Sequence, residues 1–465
     1  MEQKTLIIVV AVIIVAVAVI AAAFVMAQNG DKPADDVPDT PDTPDTPDVP
    51  DTPDTPDTPD VPDTPDTPDV PEYRSTNTSG RLMIFGNANN DDYLDDEDLT
   101  VLQQIKGTTD FAEKHPLADA NQDGAITDAD IEMVKKMINR ESMNIFFGYD
   151  SGKGIVAKEV SYPVKNFLLV GDDVSIALQS INATTKCKGV AVSDFDDPIN
   201  AWVGELTRIG TKSTAADVAI ATTVADADTV LITSAASRYV TNADAFELAG
   251  IKVLRMNLGT GTTGEVAANF GLLTMGYLLG LEDEANEVVK FSDDVISKVN
   301  DAVKDIADDK RAKAIVANRT ANISGKSSEY YYIAQLAGAK NMIDGNESHT
   351  SFNVANGDDW LYALDVEYIL HFTSLGYGDV DTEKTFNTYN VNFKLTDAYL
   401  DHHYYLMNAN MPTAVCVAFS AECMYPELFE SGFGFDTLDQ YIKNFTCLPD
   451  TYNVKDPSKF FIMHS

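Results

Sequence analysis

Positive charge is scarce in this 465-residue sequence. It contains 33 lysine and arginine residues against 73 aspartate and glutamate residues, which gives a net charge of −40. Binding to nucleic acid through phosphate neutralisation requires a cationic face. The composition therefore argues against nucleic acid as a partner.

Cysteine is also rare. The four cysteines have no metal-ligand spacing and are too sparse for a disulfide framework. The sequence still allows one disulfide bond among Cys416, Cys423 and Cys447. The stretch GTGTTGE formally fits a dinucleotide-binding pattern, but its Thr262 and Glu265 make a capping box for a following helix. We expect no enzymatic activity from these patterns.

One long apolar run lies near the N-terminus. Leu6–Ala27 has 22 uncharged residues, and at about 1.5 Å per residue it spans the roughly 30 Å hydrocarbon layer of a bilayer. Lys4 precedes it and an acidic segment follows, which predicts a cytoplasmic N-terminus and an extracellular remainder. Residues 1–28 are interpreted as a retained membrane anchor, with a cleaved signal peptide as the alternative.

A proline repeat follows the apolar run. From Asp39 to Pro71 the triplets PDT and PDV repeat in register. Proline at every third position fixes φ and removes a backbone donor, so an extended polyproline II segment is predicted. We interpret residues 29–80 as an acidic spacer, on the order of 120 Å long, that carries folded domains away from the membrane.

Two acidic loops of matching spacing come next, and each leads into a helix-period run. Oxygen-bearing side chains fall at the ligand positions of a twelve-residue calcium loop, and position 7 offers a backbone carbonyl. Gly124 takes position 6 of the second loop, where Asp92 stands in the first. Two calcium sites are predicted, with the ligands Asn87, Asn89, Asp91, Tyr93 and Asp98 in one loop and Asp119, Asn121, Asp123, Ala125 and Asp130 in the other.

This duplicated loop-helix pattern, which has no helix before the first loop, resembles dockerin modules over residues 81–141. The resemblance implies a small all-α calcium domain that docks onto a cohesin domain of another protein. Loop positions 10 and 11 set specificity in that family. Here they are Asp96 and Glu97, and Asp128 and Ala129, instead of a small hydroxyl pair. A calcium-rigidified spacer without a partner is the alternative.

Residues 142–465 alternate short apolar runs with helix-period segments, which predicts an α/β fold with mostly parallel sheets. A helical pattern from about Asp283 to Asp308 separates two sets of strands and carries one apolar stripe. Two lobes joined by one long helix are therefore predicted. The predicted strands begin at Phe167, Gly189, Thr229 and Lys252 in the first set and at Ala312, Tyr368 and Thr413 in the second.

Two such lobes in an exported chain resemble the substrate-binding proteins of ABC importers for iron-siderophores, haem and cobalamin. The stretches that carry the resemblance are VADADTVLIT with FELAGIKVLRMNL, then YYYIAQLAGAKNMID, DDWLYALDVEYIL and AECMYPELF. The resemblance implies that a bilobal domain captures a metal chelate, either a ferric siderophore, haem or a corrinoid. It also implies transfer of that chelate to an ABC permease.

Candidate ligand contacts lie in loops that follow predicted strands, because ligands of α/β lobes meet the loops after the carboxyl ends of strands. Arg238 and Arg319 can bind carboxylate or metal-bound oxygen bidentately, and the alternative for each is a local salt bridge. Tyr239, Tyr330 and Tyr377 can supply flat apolar walls with hydroxyl tips.

Permease docking is implied at two aspartates. The family presents one glutamate on each lobe to permease arginines; here Asp359 aligns in the second lobe, and Asp217 is the nearest acid in the first. The alternative is that each is a solvated helix-end charge. The sequence thus predicts a membrane-tethered extracellular solute-binding protein, and the rival is a cell-surface assembly or adhesion protein whose C-terminal region no longer binds a ligand.

Overall fold

The structure is a computed structural model that describes most of the chain after residue 80. The described ranges are 81–151, 154–212, 215–235, 240–258, 267–319, 322–326, 328–343, 351–353 and 359–465. The predicted anchor Leu6–Ala27 and the proline spacer lie outside them. Across the described ranges, no helix is both long enough and apolar enough to cross a membrane.

The two acidic loops each end in a capped helix. Helix α1 is Asp96–Ile105 and helix α2 is Asp128–Ile138. Their N-caps, Asp95 and Thr127, each form a capping box with the aspartate three residues later. This reciprocal bonding satisfies backbone N–H groups that an isolated helix end leaves unpaired.

The loop-helix segment packs on a β-hairpin and on the first lobe. Strands β1 (Met143–Asp150) and β2 (Ile155–Tyr162) pair antiparallel, and Ile84 forms a bridge with Phe147 of β1. Leu102 and Val134 belong to the same hydrophobic cluster as the hairpin and the first lobe. The predicted boundary at 141/142 thus crosses a shared apolar core, and the separate domain over residues 81–141 stays a prediction.

The first lobe contains a parallel five-stranded sheet. The elements of this lobe are β3 (Phe167–Val170), α3 (Asp172–Ser180), β4 (Cys187–Ala191), β5 (Thr207–Arg208), β6 (Gly210–Lys212), β7 (Ala215–Ala216), α4 (Val218–Val224), β8 (Val230–Ser234), α5 (Ala243–Leu248), β9 (Val253–Met256) and α6 (Ala267–Leu279). The strand order in the sheet is β5-β4-β3-β8-β9. Strands β3 and β8 are buried along their whole length, as continuous apolar runs of parallel sheets are. All four strands predicted for this lobe are present.

One helix joins the lobes, as predicted. Helix α7, Glu282–Val303, is 22 residues long. Val288 and Val289 pack in the core of the first lobe, whereas Val295 and Val299 pack in the core of the second. The apolar stripe of this helix therefore bridges two separate hydrophobic clusters.

The second lobe contains a mixed sheet. The elements of this lobe are β10 (Lys313–Asn318), β11 (Asn322–Ser324), α8 (Glu329–Leu336), β12 (Lys340–Asn341), β13 (Ser351–Asn353), α9 (Asp359–Tyr362), β14 (Tyr368–Thr373), α10 (Thr382–Tyr389), α11 (Asp397–Leu400), β15 (Tyr404–Asn408), α12 (Thr413–Met424), α13 (Phe433–Phe445) and β16 (Ile462–His464). The strand order in the sheet is β13-β11-β10-β14-β15-β16, with β12 also paired to β10. The centre of the sheet, β10-β14-β15, is parallel.

The strand predicted from Thr413 is wrong, because this segment is the buried helix α12. Its residues from Ala414 to Ala421 are all buried, so the helix is buried on every side. A run of this kind has no amphipathic period and cannot be distinguished from a buried strand by periodicity. The third parallel strand is instead β15.

The cysteines are all thiols in the structure. Cys187 and Cys416 are buried, Cys423 is half-buried and Cys447 is exposed. No disulfide bond joins any two of Cys416, Cys423 and Cys447.

A buried histidine stabilises the end of β14. The His371 ring bonds to the Tyr404 hydroxyl at 2.7 Å through Nδ1 and to the Arg319 carbonyl through Nε2. Because a carbonyl only accepts, Nε2 carries the proton and Nδ1 accepts from the tyrosine. Burial lowers the pKa of the His371 imidazole to about 4.

We expect this histidine to destabilise the fold in acid. Its pKa is about 4 in the folded chain and roughly 6.5 in an unfolded one, so protons bind preferentially to the unfolded chain as the pH falls below 6.5. The linkage amounts to about 2 kcal/mol between pH 7 and pH 5. Melting curves of the full chain measure it; His371→Gln flattens this part of the pH dependence, whereas the exposed His464→Gln leaves it unchanged. If the stability of the parent, of His371→Gln and of His464→Gln falls equally between pH 7 and pH 5, the acid sensitivity does not come from His371.

Candidate functional site

A cavity of about 760 Å³ lies between the two lobes. The first lobe contributes the loops after β3 and β4, and the second lobe contributes the loops after β14 and β15. Helix α7 lines the cavity where it passes from one lobe to the other, through Val288 and Ser292. The cavity therefore occupies the position where α/β sheets bind ligands, outside the carboxyl ends of parallel strands.

The two lobes touch at one corner of this cavity. The carboxylate of Asp197, in the loop after β4, accepts hydrogen bonds from the backbone N–H of Tyr377 at 3.0 and 3.2 Å. Gly376 has a φ of 68°, and a Cβ there would lie 2.1 Å from Oδ2 of Asp197. This close approach requires glycine.

Aromatic rings form part of the second-lobe wall. Tyr330 stacks on Phe372, with ring centroids 5.3 Å apart and planes 9° apart. Tyr377 is buried and donates its hydroxyl proton to the carbonyl of Asn410 at 3.0 Å. These contacts hold two flat rings in fixed positions at the cavity.

Four carboxylates line the first-lobe side of the cavity: Asp172, Asp173, Asp194 and Asp197. Asp172 accepts from the N–H of Ser193, so it joins the loops after β3 and β4. Burial raises the pKa of the Asp197 carboxyl, and the negative charges of Asp194 and Asp172 raise it further. Among the described residues that line the cavity there is no lysine, arginine or histidine.

The structure brings together two of the five predicted ligand contacts. Tyr330 and Tyr377 both line the cavity. Arg319 is exposed, is not a lining residue, and its carbonyl caps His371. Arg238 and Tyr239 lie outside the described residues.

The predicted permease-docking acids lie at helix starts. Asp217 is the exposed N-cap of α4 and accepts from the backbone N–H groups of Ala219 and Ile220. Asp359 is the first residue of α9. The contacts of Asp217 are those of a helix cap, and its docking role stays a prediction.

The first acidic loop is folded around a buried carboxylate. Asp98 is fully buried and accepts from the N–H groups of Ala88, Asn89 and Asp95. Burial raises the pKa of the Asp98 carboxyl to about 7, and Asp91 adds repulsion. Oδ1 of the buried Asn87 has no hydrogen-bond partner. A buried acceptor without a donor and a buried carboxylate are both groups that a calcium ion stabilises.

The second acidic loop repeats this backbone. Position 4 of each loop, Asn90 and Gln122, has a φ near 60°. Asp130 is buried and accepts from Asn121 and Thr127, as Asp98 accepts from Asn89 and Asp95. The two loops are therefore one motif used twice.

The donor sets of the loops are a mixture of amides and carboxylates. In the first loop, the Asn89 side chain donates to Asp91 at 2.7 Å, and the Tyr93 N–H donates to Asp91 at 2.8 Å. Within the described part of the chain, no three histidine, cysteine, aspartate or glutamate side chains converge as a metal cluster. The oxygen donors nevertheless fit calcium in kind, and the two calcium sites stay predictions.

The cavity acids are the residues that sequence reasoning missed. They come directly after two correctly predicted strands, in the stretches GDDVS and SDFDDP. Loops after the carboxyl ends of parallel strands are the expected ligand positions. The predicted contacts came only from loops after strands that contain arginine or tyrosine. The loops after β3 and β4 contain neither residue, and their aspartates were therefore not predicted.

No family model matches the chain, and no curated protein matches it. Solved structures do match. The TroA-like periplasmic binding protein FepB from Veillonella parvula has 16% identity and a TM-score of 0.51, over 68% of this chain and 98% of that one. A periplasmic solute binding protein from Veillonella parvula DSM 2008 has 14% identity and a TM-score of 0.50, over 66% and 94% of the two chains. At this identity the likeness establishes the bilobal α/β fold.

Proposed function

We propose that this chain is a non-catalytic solute-binding protein that captures a bulky small molecule between its two lobes. The observation that carries the proposal is the cavity of about 760 Å³ bounded by both lobes and by α7. Its volume lies within the range of about 300–1,000 Å³ typical of small-molecule sites. The periplasmic binding proteins that share the fold support the same class of function.

The proposed ligand is a metal chelate that an ABC permease receives. The four family-like stretches of the sequence support this class, and the half-buried ring of Tyr330 offers apolar surface to a bulky complex. The proposed setting is the extracellular face of a membrane, with Leu6–Ala27 as the tether. Asp217 and Asp359 are the proposed contacts to the permease.

Native mass spectrometry of the full chain with haem, cobalamin and ferric siderophores tests this function. We expect a complex of one chelate per chain, followed by saturable binding in a fluorescence titration. Asn410→Ala, which removes a polar wall residue, is expected to weaken that binding. Failure of every chelate to bind would overturn the transport function.

The acidic loops are proposed to hold two calcium ions and to serve in docking. In the first loop, calcium would be coordinated by side-chain oxygens of Asn87, Asn89, Asp91 and Asp98 and by the backbone carbonyl of Tyr93. The equivalent residues of the second loop would coordinate the second ion. Calcium would supply the positive charge that the buried Asp98 and Asp130 lack. Asp96, Glu97 and Ala129 are exposed at the front of the two helices, and Asp128 pairs with Lys106 at 2.6 Å. These surfaces are the proposed contacts to a cohesin-bearing protein.

A further inference from the structure

Among the described residues, the charged side chains that line the interlobe cavity are all acidic. Asp172, Asp173, Asp194 and Asp197 line it on the first-lobe side, and the described lining residues of the second lobe are apolar or neutral. The cavity itself is the reason to expect a ligand; the carboxylates bear on the charge of that ligand. We propose that the cavity selects a chelate that is net positive or carries a protonated amine, and this inference rests on the proposed function.

Three of the carboxylates, Asp172, Asp194 and Asp197, are held close enough to act together. Asp194 and Asp172 repel the Asp197 charge, and Asp172 is tied to the loop that carries Asp194 through its bond to Ser193. Asp197 is already bonded to the second lobe through Tyr377. A cation between the lobes would therefore relieve repulsion in the first lobe at the point where the lobes meet.

The same acids disfavour an anionic ligand. A chelate with free carboxylates, such as haem, would bring more negative charge to a wall whose described charged residues are all acidic. Charges of like sign in a partly enclosed site repel more strongly than they do in water, because the local dielectric is lower. The four acids thus separate the candidate chelates by charge.

A bare metal ion is a poorer fit than an organic complex. Among the described residues, no three histidine, cysteine, aspartate or glutamate side chains lie close enough together to hold a metal ion. This holds for the four acids of the cavity as well. The cavity of about 760 Å³ is also far larger than one ion requires. The carboxylates are therefore expected to contact the outer groups of a ligand instead of coordinating a metal ion directly.

A charge series on one iron cage tests the inference. The probes are ferric desferrioxamine with its free terminal ammonium, the N-acetylated neutral form and the N-succinylated anionic form. Titration calorimetry of the full chain at about 20 mM salt is expected to rank them cation, neutral, anion, with about tenfold or more between the ends. The differences in affinity between the three probes should become smaller at about 500 mM salt, because the charges are then screened.

Two variants assign the effect to the cavity. Asp194→Asn keeps the oxygen that accepts from the Asp196 N–H and removes the charge, so it should reduce the preference for the cation. Asp244→Asn removes an exposed charge outside the cavity and should leave the preference unchanged.

The outcomes separate this inference from the function on which it rests. Equal affinities for the three probes, or tighter binding of the anion, overturn the charge selectivity and leave chelate binding in place. If none of the three binds and the wider chelate panel also fails, the proposed function and the charge inference fall together. A cation preference that Asp194→Asn leaves intact also overturns the assignment to these acids.

Discussion

Removal of calcium is expected to lower the melting temperature of the full chain by about 5 °C or more. A ligand at one hundred times its Kd stabilises a fold by about 2.7 kcal/mol, so two filled sites give roughly 5 kcal/mol. The physical reason lies in the buried carboxylates Asp98 and Asp130, whose charges otherwise have only backbone donors and a threonine hydroxyl. Calorimetry in excess calcium and in excess chelator measures the shift.

The matched controls for this prediction lie on the same helices. A double variant, Asp98→Asn with Asp130→Asn, should remove the calcium response, because both position-12 charges are lost. Asp96→Asn changes an exposed acid in the first turn of α1, and this variant should keep the calcium response. Since the loops share a hydrophobic cluster with the first lobe, the shift should appear in the unfolding of that lobe too. An unchanged melting temperature in chelator would contradict both calcium sites.

Gly376→Ala is expected to open the contact between the lobes. The new Cβ would lie 2.1 Å from Oδ2 of Asp197, at a φ of 68° that already disfavours alanine. Strain of this kind costs about 1–2 kcal/mol, and overpacking adds about 1–3 kcal/mol. Hydrogen exchange should show loss of protection at the Tyr377 amide, whose proton Asp197 accepts. Ligand affinity should fall by about tenfold or more, since 1.4 kcal/mol is tenfold.

A glycine two residues away provides the control. A Cβ at Gly378 would meet only the Cδ of Pro198, at 3.6 Å, so Gly378→Ala should leave exchange and affinity close to those of the parent. In a chain with Asp197→Ala, the clash is gone and Gly376→Ala should cost less. Identical exchange at Tyr377 in the parent and in Gly376→Ala would refute the role of this contact.

The lobes could be predicted from sequence because their strands carry a strong local signal. Phe167–Val170 and Val230–Ser234 are short apolar runs between helix-period segments, and α7 has a single apolar stripe. Helix α12 could not be predicted in this way, because it is buried on all sides and has no stripe to reveal its period.

The cavity could be predicted only in part. Tyr330 and Tyr377 were found because aromatic residues in loops after strands suggest a binding surface, and both line the cavity. Asp172 and Asp197 were missed, since acids at the start of helical segments fit capping equally well, and both do accept backbone N–H groups. Their common orientation toward one cavity depends on tertiary packing, which local patterns do not contain.

The packing of the loop-helix segment on the first lobe has a mechanical consequence. Met83 bonds to Thr274 of α6, the Tyr277 hydroxyl bonds to the Met137 carbonyl, and Arg140 pairs with Glu282 at the start of α7. The described structure therefore begins, at Arg81, beside the first lobe. A force applied at Arg81 would act first on the loop-helix segment and the first lobe, and it would reach the second lobe through α7 and the contacts at the cavity.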